Sequence, residues 1–297
     1  MNYSLKKDNK MNELKGLGTA LATPFSGGRV DYDSYVKLVT RQVSKGVDFL
    51  VPLGTTAETP CLDDDEKVEL LKLTRELCDK PVIAGCGTNS LAGTLRNIKL
   101  LEPCGPDAFL VVTPYYNKPT QEGLYQYFKA VAESAGKPIV LYNVPSRTGV
   151  NMKAETTLRL AAIPNIIAVK EASGDLNQVL EIKRKAPKGF SVLSGNDDQT
   201  FPLMAGGADG IISVVSNIEP MLMSSLVRAL QAGKIERARE LNDRLIPLYK
   251  TCFVESNPIA VKGGLSVMGL CRNECRLPLT PATSQTLALM KEIIKDL

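Results

Sequence analysis

The sequence predicts an α/β fold, a (β/α)8 TIM barrel followed by a small helical C-terminal extension. Three observations lead there. Short apolar runs recur eight times, amphipathic segments separate most of them, and the tail after the eighth run is helical in pattern throughout. Continuous apolar runs indicate parallel strands covered by helices on their outer faces. Eight such units over about 215 residues match a closed barrel. The competing architecture is a doubly wound open sheet, but no GxGxxG or Walker motif follows an early strand, which weakens its nucleotide-binding form.

The runs are LGTAL (17–21), DFLVPL (48–53), PVIAGC (81–86), AFLVVT (108–113), PIVLYN (138–143), IIAVK (166–170), FSVLS (190–194) and DGIISV (209–214). Asp33 is expected to open the first helix, with Tyr35, Val36, Val39 and Val43 on its apolar face and Gly46 as its stop. Asp63, with Glu66 three residues on, resembles a capping box. Further helices are expected near 90–101, 121–135, 153–162, 175–186 and 197–205. In the tail Pro220 starts a helix and Gly233 stops it, ERARELNDRLIPLYK continues as helix, Asn257-Pro258 caps IAVKGGLSVMG, and TSQTLALMKEIIKDL is last. The expected division is a catalytic barrel over 1–225 and a helical region over 226–297, with only the first dozen residues loose.

Composition narrows the function. With 297 residues, 44% hydrophobic and 23% charged, the chain has ample length for a large core. The net charge of +4 is modest, and the one basic block, KRK at 183–185, lies in a helical stretch, so no nucleic-acid partner is expected. No run approaches the ~18 apolar residues of a membrane span. The polar N-terminus lacks the apolar core of a signal peptide, so a cytoplasmic location is expected. Seven cysteines form no paired CxxC clusters, which argues against a zinc site or a disulfide framework. There is no histidine. That removes histidine relays, Ser-His-Asp triads and histidine-rich metal sites.

Lys170 is the most informative residue, because it ends the apolar run NIIAVK and a polar turn, EASGD, follows at once. Many such lysines lie at the surface with their stems along the strand end. A buried one has its ammonium form disfavoured and becomes a nucleophilic amine able to form a Schiff base with a carbonyl. Barrel active sites lie at the C-terminal ends of the strands. Those positions hold Gly54-Thr55-Thr56, Thr113-Pro114-Tyr115-Tyr116, Tyr142-Asn143, Ser146-Arg147-Thr148 and Ser194-Gly195-Asn196. Tyr142 precedes Lys170 by 28 positions, about one βαβ unit, and should end the neighbouring strand. Its phenol is placed to carry protons, or simply to lie half-buried with its hydroxyl satisfied. Thr55 and Thr56 offer hydroxyls and amides for a carboxylate, or form an ordinary helix-entry turn. Arg147 could grip a second carboxylate through two parallel hydrogen bonds, or remain solvated.

GTTAET (54–59), TPYYNKPTQEG (113–123), YNVPSRTG (142–149), IIAVKEASGD (166–175), LSGND (193–197) and GIISVVSN (210–217) together resemble the dihydrodipicolinate synthase (4-hydroxy-tetrahydrodipicolinate synthase) family. This family belongs to the N-acetylneuraminate lyase superfamily of class I pyruvate aldolases, and the resemblance runs in order from about residue 15 to 270. It implies a lyase of lysine and diaminopimelate biosynthesis that joins pyruvate to aspartate semialdehyde. Lys170 would form the Schiff base with pyruvate, and Tyr142 would relay protons with Thr56 and with Tyr116 from a partner subunit. Thr55 and Thr56 would hold the pyruvate carboxylate and Arg147 that of aspartate semialdehyde, with Gly195 and Ile212 as further substrate contacts. A homotetramer of tight dimers, without metal or organic cofactor, is also implied.

Two departures stand out. Ala57 occupies a position that is usually glycine, which matters if a positive φ is needed there. Lysine-sensitive members carry histidine and glutamate where this chain has Lys67 and Gly93, while Asn89 and Tyr115 match, so weak feedback by lysine is expected. The nearest rival is N-acetylneuraminate lyase or a related sugar-acid aldolase. Thr55 and Arg147 favour the synthase, because that lyase typically has Ser-Thr in the turn and lacks the loop arginine. A barrel retained only for binding would be expected to lose Lys170, Tyr142 or Thr56.

Overall fold

The structure, a computed structural model, describes residues 13–297; the expected loose segment at the N-terminus lies outside the described residues. Eight strands carry the fold: β1 Gly16–Ala20, β2 Phe49–Val51, β3 Ile83–Gly85, β4 Ala108–Val112, β5 Ile139–Asn143, β6 Ile166–Glu171, β7 Ser191–Ser194 and β8 Gly210–Ser213. All neighbours pair in parallel, β1 lying between β8 and β2. A Leu50–Val82 bridge between β2 and β3 closes the circle. A two-stranded hairpin, Phe25–Ser26 with Arg29–Val30, follows β1.

Around the barrel run α1 Tyr32–Ser44, α2 Asp64–Leu77, α3 Leu91–Leu101, α4 Gln121–Ser134, α5 Ala154–Ala161, α6 Leu176–Lys185, α7 Thr200–Ala205 and α8 Pro220–Gln231. Three more helices follow: α9 Ile235–Thr251, α10 Ile259–Val267 and α11 Ser284–Lys295. Asp63 forms the expected capping box with Glu66. At α1 the reading needs correction. Asp31 is the N-cap, its carboxylate accepting from the Ser34 amide, and the buried face is Tyr35, Leu38, Val39 and Gln42. Two aspartates two positions apart offer alternative caps, and the earlier one lengthens the helix by two residues.

Each strand alternates between two cores. Phe49, Val51, Ile83, Leu110, Val140, Ala168, Leu193 and Ile212 fill the interior, and a larger apolar layer lies between strands and helices. Gly18 is what admits the Phe49 ring, since a Cβ at 18 would come within 2.0 Å of it. A bulge at Ile167 resets the β5–β6 register, so that Val140 faces Ala168 and Tyr142 faces Lys170.

The C-terminal helices are joined to the barrel by buried charge. Glu58, just past the β2 turn, accepts from Lys262 Nζ of α10 at 2.6 Å, and both side chains are 0% exposed. Its second oxygen accepts from the Arg276 amide. Removing one partner of such a pair strands a buried charge, at about 3–5 kcal/mol, while replacing both is far milder. Lys262→Met should therefore lower the urea midpoint by that amount of stability, and Glu58→Gln with Lys262→Met should recover most of it.

Asp197, after β7, is also buried. Burial raises its pKa to about 6, although the Ser213 hydroxyl and the Val214 and Val215 amides donate to it. The unfolded carboxyl titrates near 3.8, so its proton favours the folded state at low pH, and that contribution disappears as pH rises through 6. Between pH 5 and 7.5 the native protein should lose about 1 kcal/mol of stability that Asp197→Asn does not. Denaturant titrations at the two pH values measure the difference.

Candidate active site

Lys170 lies on the inward-facing side of β6 near its C-terminal end, only 4% exposed. Its inward direction follows from alternation with Ala168, which belongs to the interior core. Across the ladder it pairs with Tyr142 of β5 on one side and Leu193 of β7 on the other. Its Nζ sits 4.2 Å from the centroid of the Tyr142 ring. Among the described residues it has no ion-pair partner. An amine without a direct ion pair, walled by strands and facing a phenol, with the buried Asp197 acting on it only through space, suits attack on a carbonyl carbon. The next residue, Glu171, points outward and is held by Asn143, Gln178 and the Ser173 amide. Burial pushes its pKa up, and these donors act against that shift.

Gly195 follows β7 beside this lysine. A Cβ there would meet Ala172 Cβ at 2.6 Å and the Lys170 Cε at 3.2 Å, so glycine leaves the lysine stem its place. Ile212 lies inside the barrel on β8, paired with Gly18.

Thr55, Thr56 and Ala57 form a 3-10 turn after β2. The positive φ that the sequence raised for Ala57 falls instead on Glu58, at 54°. The ion pair and amide that Glu58 receives hold it in this sparsely populated conformation. Thr56 is buried, and its Oγ1 accepts a hydrogen bond from Asn257 Nδ2 at 3.0 Å. Among the described residues no hydrogen bond joins Thr56 to Tyr142. Arg147 lies in a single helical turn, Pro145–Thr148, behind β5, and its Nη2 donates to the Asn257 carbonyl at 3.3 Å.

Tyr116 behaves differently. It has φ 76° and is 89% exposed, so it is a solvent-facing aromatic on the loop after β4 rather than a wall of its own chain's site. Thr113, at the strand end, is buried and donates to Thr148 Oγ1.

The sequence suggests Asn257 only as a helix cap. The N-cap of α10 is Pro258, without a side-chain cap bond, and the Asn257 amide turns to Thr56. Its Oδ1 is the sole buried side-chain oxygen or nitrogen without a partner among the described residues, a state that costs about 1–3 kcal/mol. Glu58 and Lys262 also escaped the sequence reading. The signal available for them was a carboxylate inside a strand-end turn and a lysine within the apolar helix IAVKGGL. Among the described residues no group of His, Cys, Asp or Glu is arranged to hold a metal ion, and no helix is long and apolar enough to cross a membrane.

The Dihydrodipicolinate synthetase family profile matches residues 13–297. Over 288 residues the chain is 48% identical to 4-hydroxy-tetrahydrodipicolinate synthase of Thermotoga neapolitana, covering 95% of this chain and 98% of that protein. The structure of dihydrodipicolinate synthase from Thermotoga maritima matches with a TM-score of 0.93 at 47% identity, covering 95% and 98% of the two chains. The chloride-inhibited dihydrodipicolinate synthase of Acinetobacter baumannii, complexed with pyruvate, matches with a TM-score of 0.92 at 41% identity, again over 95% and 98%. Profile, sequence identity and fold agree along nearly the whole chain, and it belongs to the dihydrodipicolinate synthetase family.

Proposed function

We propose that this chain is a Schiff-base lyase that condenses pyruvate with L-aspartate 4-semialdehyde to give 4-hydroxy-tetrahydrodipicolinate, a step of diaminopimelate and lysine synthesis. The observation that carries the reading is the buried Lys170 amine facing the Tyr142 ring at 4.2 Å at the C-terminal mouth of the barrel. Near-full-length identity to proteins of that activity supports the choice of substrates.

Lys170 Nζ attacks the pyruvate ketone carbon, one of its protons passes to the carbinolamine oxygen, and a second proton from a general acid lets that oxygen leave as water. The resulting iminium accepts the electron pair released when a methyl proton is lost, giving an enamine. The enamine carbon bonds to the aldehyde carbon of the second substrate, whose oxygen takes up a proton. The substrate amine then adds to the iminium carbon, the ring closes, and the C–N bond to Lys170 breaks. Tyr142 is the acid and base nearest these events. Thr55 and Thr56 present hydroxyls and amides to the pyruvate carboxylate, Gly195 and Ile212 line the pocket, and Arg147 takes the carboxylate of aspartate semialdehyde. The exposure of Tyr116 supports a role across a subunit contact, within a homotetramer of tight dimers in the cytoplasm. We retain the division into a catalytic barrel and a helical C-terminal region, with the join inside α8.

Incubation with pyruvate and borohydride should reduce the imine and leave the pyruvate skeleton on Lys170, located by peptide mass spectrometry. Lys170→Ala should abolish trapping and lower kcat by about 10^3-fold or more. Trapping on another lysine, or none in the native protein, would overturn the reading. Supplying N-acetylmannosamine in place of aspartate semialdehyde separates it from the sugar-acid lyase.

Lysine should inhibit weakly. Lys67 adds a cation, paired with Asp64 at 3.0 Å. At Gly93 a Cβ would come within 2.7 Å of Thr88 Oγ1 and 2.9 Å of Ser90 Oγ, so the position holds no carboxylate to receive lysine's amine. A rate titration should show half-inhibition only above about 1 mM, since a missing charge pair weakens binding by tenfold or more; a sub-millimolar value would refute this.

A further inference from the structure

We propose that Asn257 is a positioning residue for the chemistry at Lys170: its amide sets which way the Thr56 hydroxyl hydrogen points and ties the Thr55–Thr56 turn to Arg147. The inference rests on the Schiff-base reading of the site. Asn257 lies between α9 and α10, outside the barrel, and is buried. Its Nδ2 donates to Thr56 Oγ1 at 3.0 Å, and its carbonyl accepts from Arg147 Nη2 at 3.3 Å. One residue thus touches the groups assigned to each of the two substrate carboxylates.

A hydroxyl has one hydrogen to give and two lone pairs to offer. With Nδ2 occupying one lone pair, the Thr56 hydrogen has no protein acceptor among the described residues. It is therefore available to a substrate oxygen or to the Tyr142 hydroxyl. If the residue at 257 could only accept, it would take that hydrogen itself, and Thr56 would face the substrate as an acceptor. Two acceptors would then meet where the carboxylate or the departing carbinolamine oxygen needs a donor. The unpartnered Oδ1 fits this account, because the amide keeps its donor on Thr56 although its acceptor goes without a bond.

The substitution Asn257→Asp tests the direction of the bond with little change of shape. As a carboxylate it only accepts, and as a carboxylic acid it regains a donor. N257D should lower kcat by about 10–100-fold at pH 8 with KM for pyruvate within about threefold, as expected for a lost transition-state contact. The deficit should shrink on acidification, giving a titration absent from the native protein. N257A should lose kcat without recovery at low pH. A native rate for N257D at pH 8, or a deficit independent of pH, overturns the proposal. Should N257D fail to fold, N257A, which only removes atoms, decides the matter: native kcat overturns it. Borohydride trapping separates the two levels. If the native protein traps no pyruvate at Lys170, the reading of the site fails; if it traps and the variants keep native kcat, only the role of Asn257 fails.

Discussion

The site depends first on the register between β5 and β6. Parallel pairing places Tyr142 opposite Lys170 and Asn143 opposite Glu171, and the two-residue alternation of strands sends the first pair inward and the second outward. The outward pair is a polar lock. Asn143 Nδ2 donates to both Glu171 oxygens, Gln178 Nε2 donates to one of them, and the Met152 amide donates to Asn143 Oδ1. A slip of one residue would carry Lys170 into the helix layer and Glu171 into the barrel, breaking every bond to Glu171. The chemistry inside the barrel is thus held in place by hydrogen bonds outside it.

A second constraint comes from the far end of the chain. The turn bearing Thr55 and Thr56 is short, and its geometry is held by Glu58 on Lys262 and the Arg276 amide and by Asn257 on Thr56. Phe25, from the hairpin after β1, contacts both cations: Lys262 Nζ is 4.0 Å and the Arg276 guanidinium carbon 4.5 Å from its ring centroid. Arg276 also grips both oxygens of Glu66 at the start of α2. The N-terminal hairpin, the Thr55–Thr56 turn and the C-terminal helices meet in one knot of charge and aromatic surface. The helical extension is therefore part of what shapes the site.

The barrel was legible in the sequence because strands buried on both faces must be apolar throughout, and their helices must be amphipathic. Lys170 and Tyr142 were legible because polar groups at the ends of such strands are conspicuous. What escaped is mostly long-range. Glu58 and Lys262 are separated by 204 positions, and no local periodicity pairs them. Asn257 carries a good local explanation as a cap, and only its distance from Thr56 in space replaces it. The shift from Asp33 to Asp31 shows the same limit at short range, since both residues can cap and the hydrogen bond to Ser34 decides. Tyr116, expected at a strand end, lies on the loop four residues past Val112, and neither its left-handed backbone nor its exposure has a signature in residue type.

The absence of histidine gives these arrangements their weight. A histidine site can tune proton transfer by titration near neutral pH. Phenols, hydroxyls and an amine have ordinary pKa values far from neutrality, so proton movement among them relies on which atom donates in each hydrogen bond and on how little water intervenes. Such a site is demanding about orientation. A hydroxyl pointing the wrong way is as damaging as one that is missing, because the next group in the relay then meets an acceptor where it needs a donor. On the proposed mechanism, that requirement accounts for the anchoring of the Thr56 turn from several directions and for the burial beside it of groups far away in sequence.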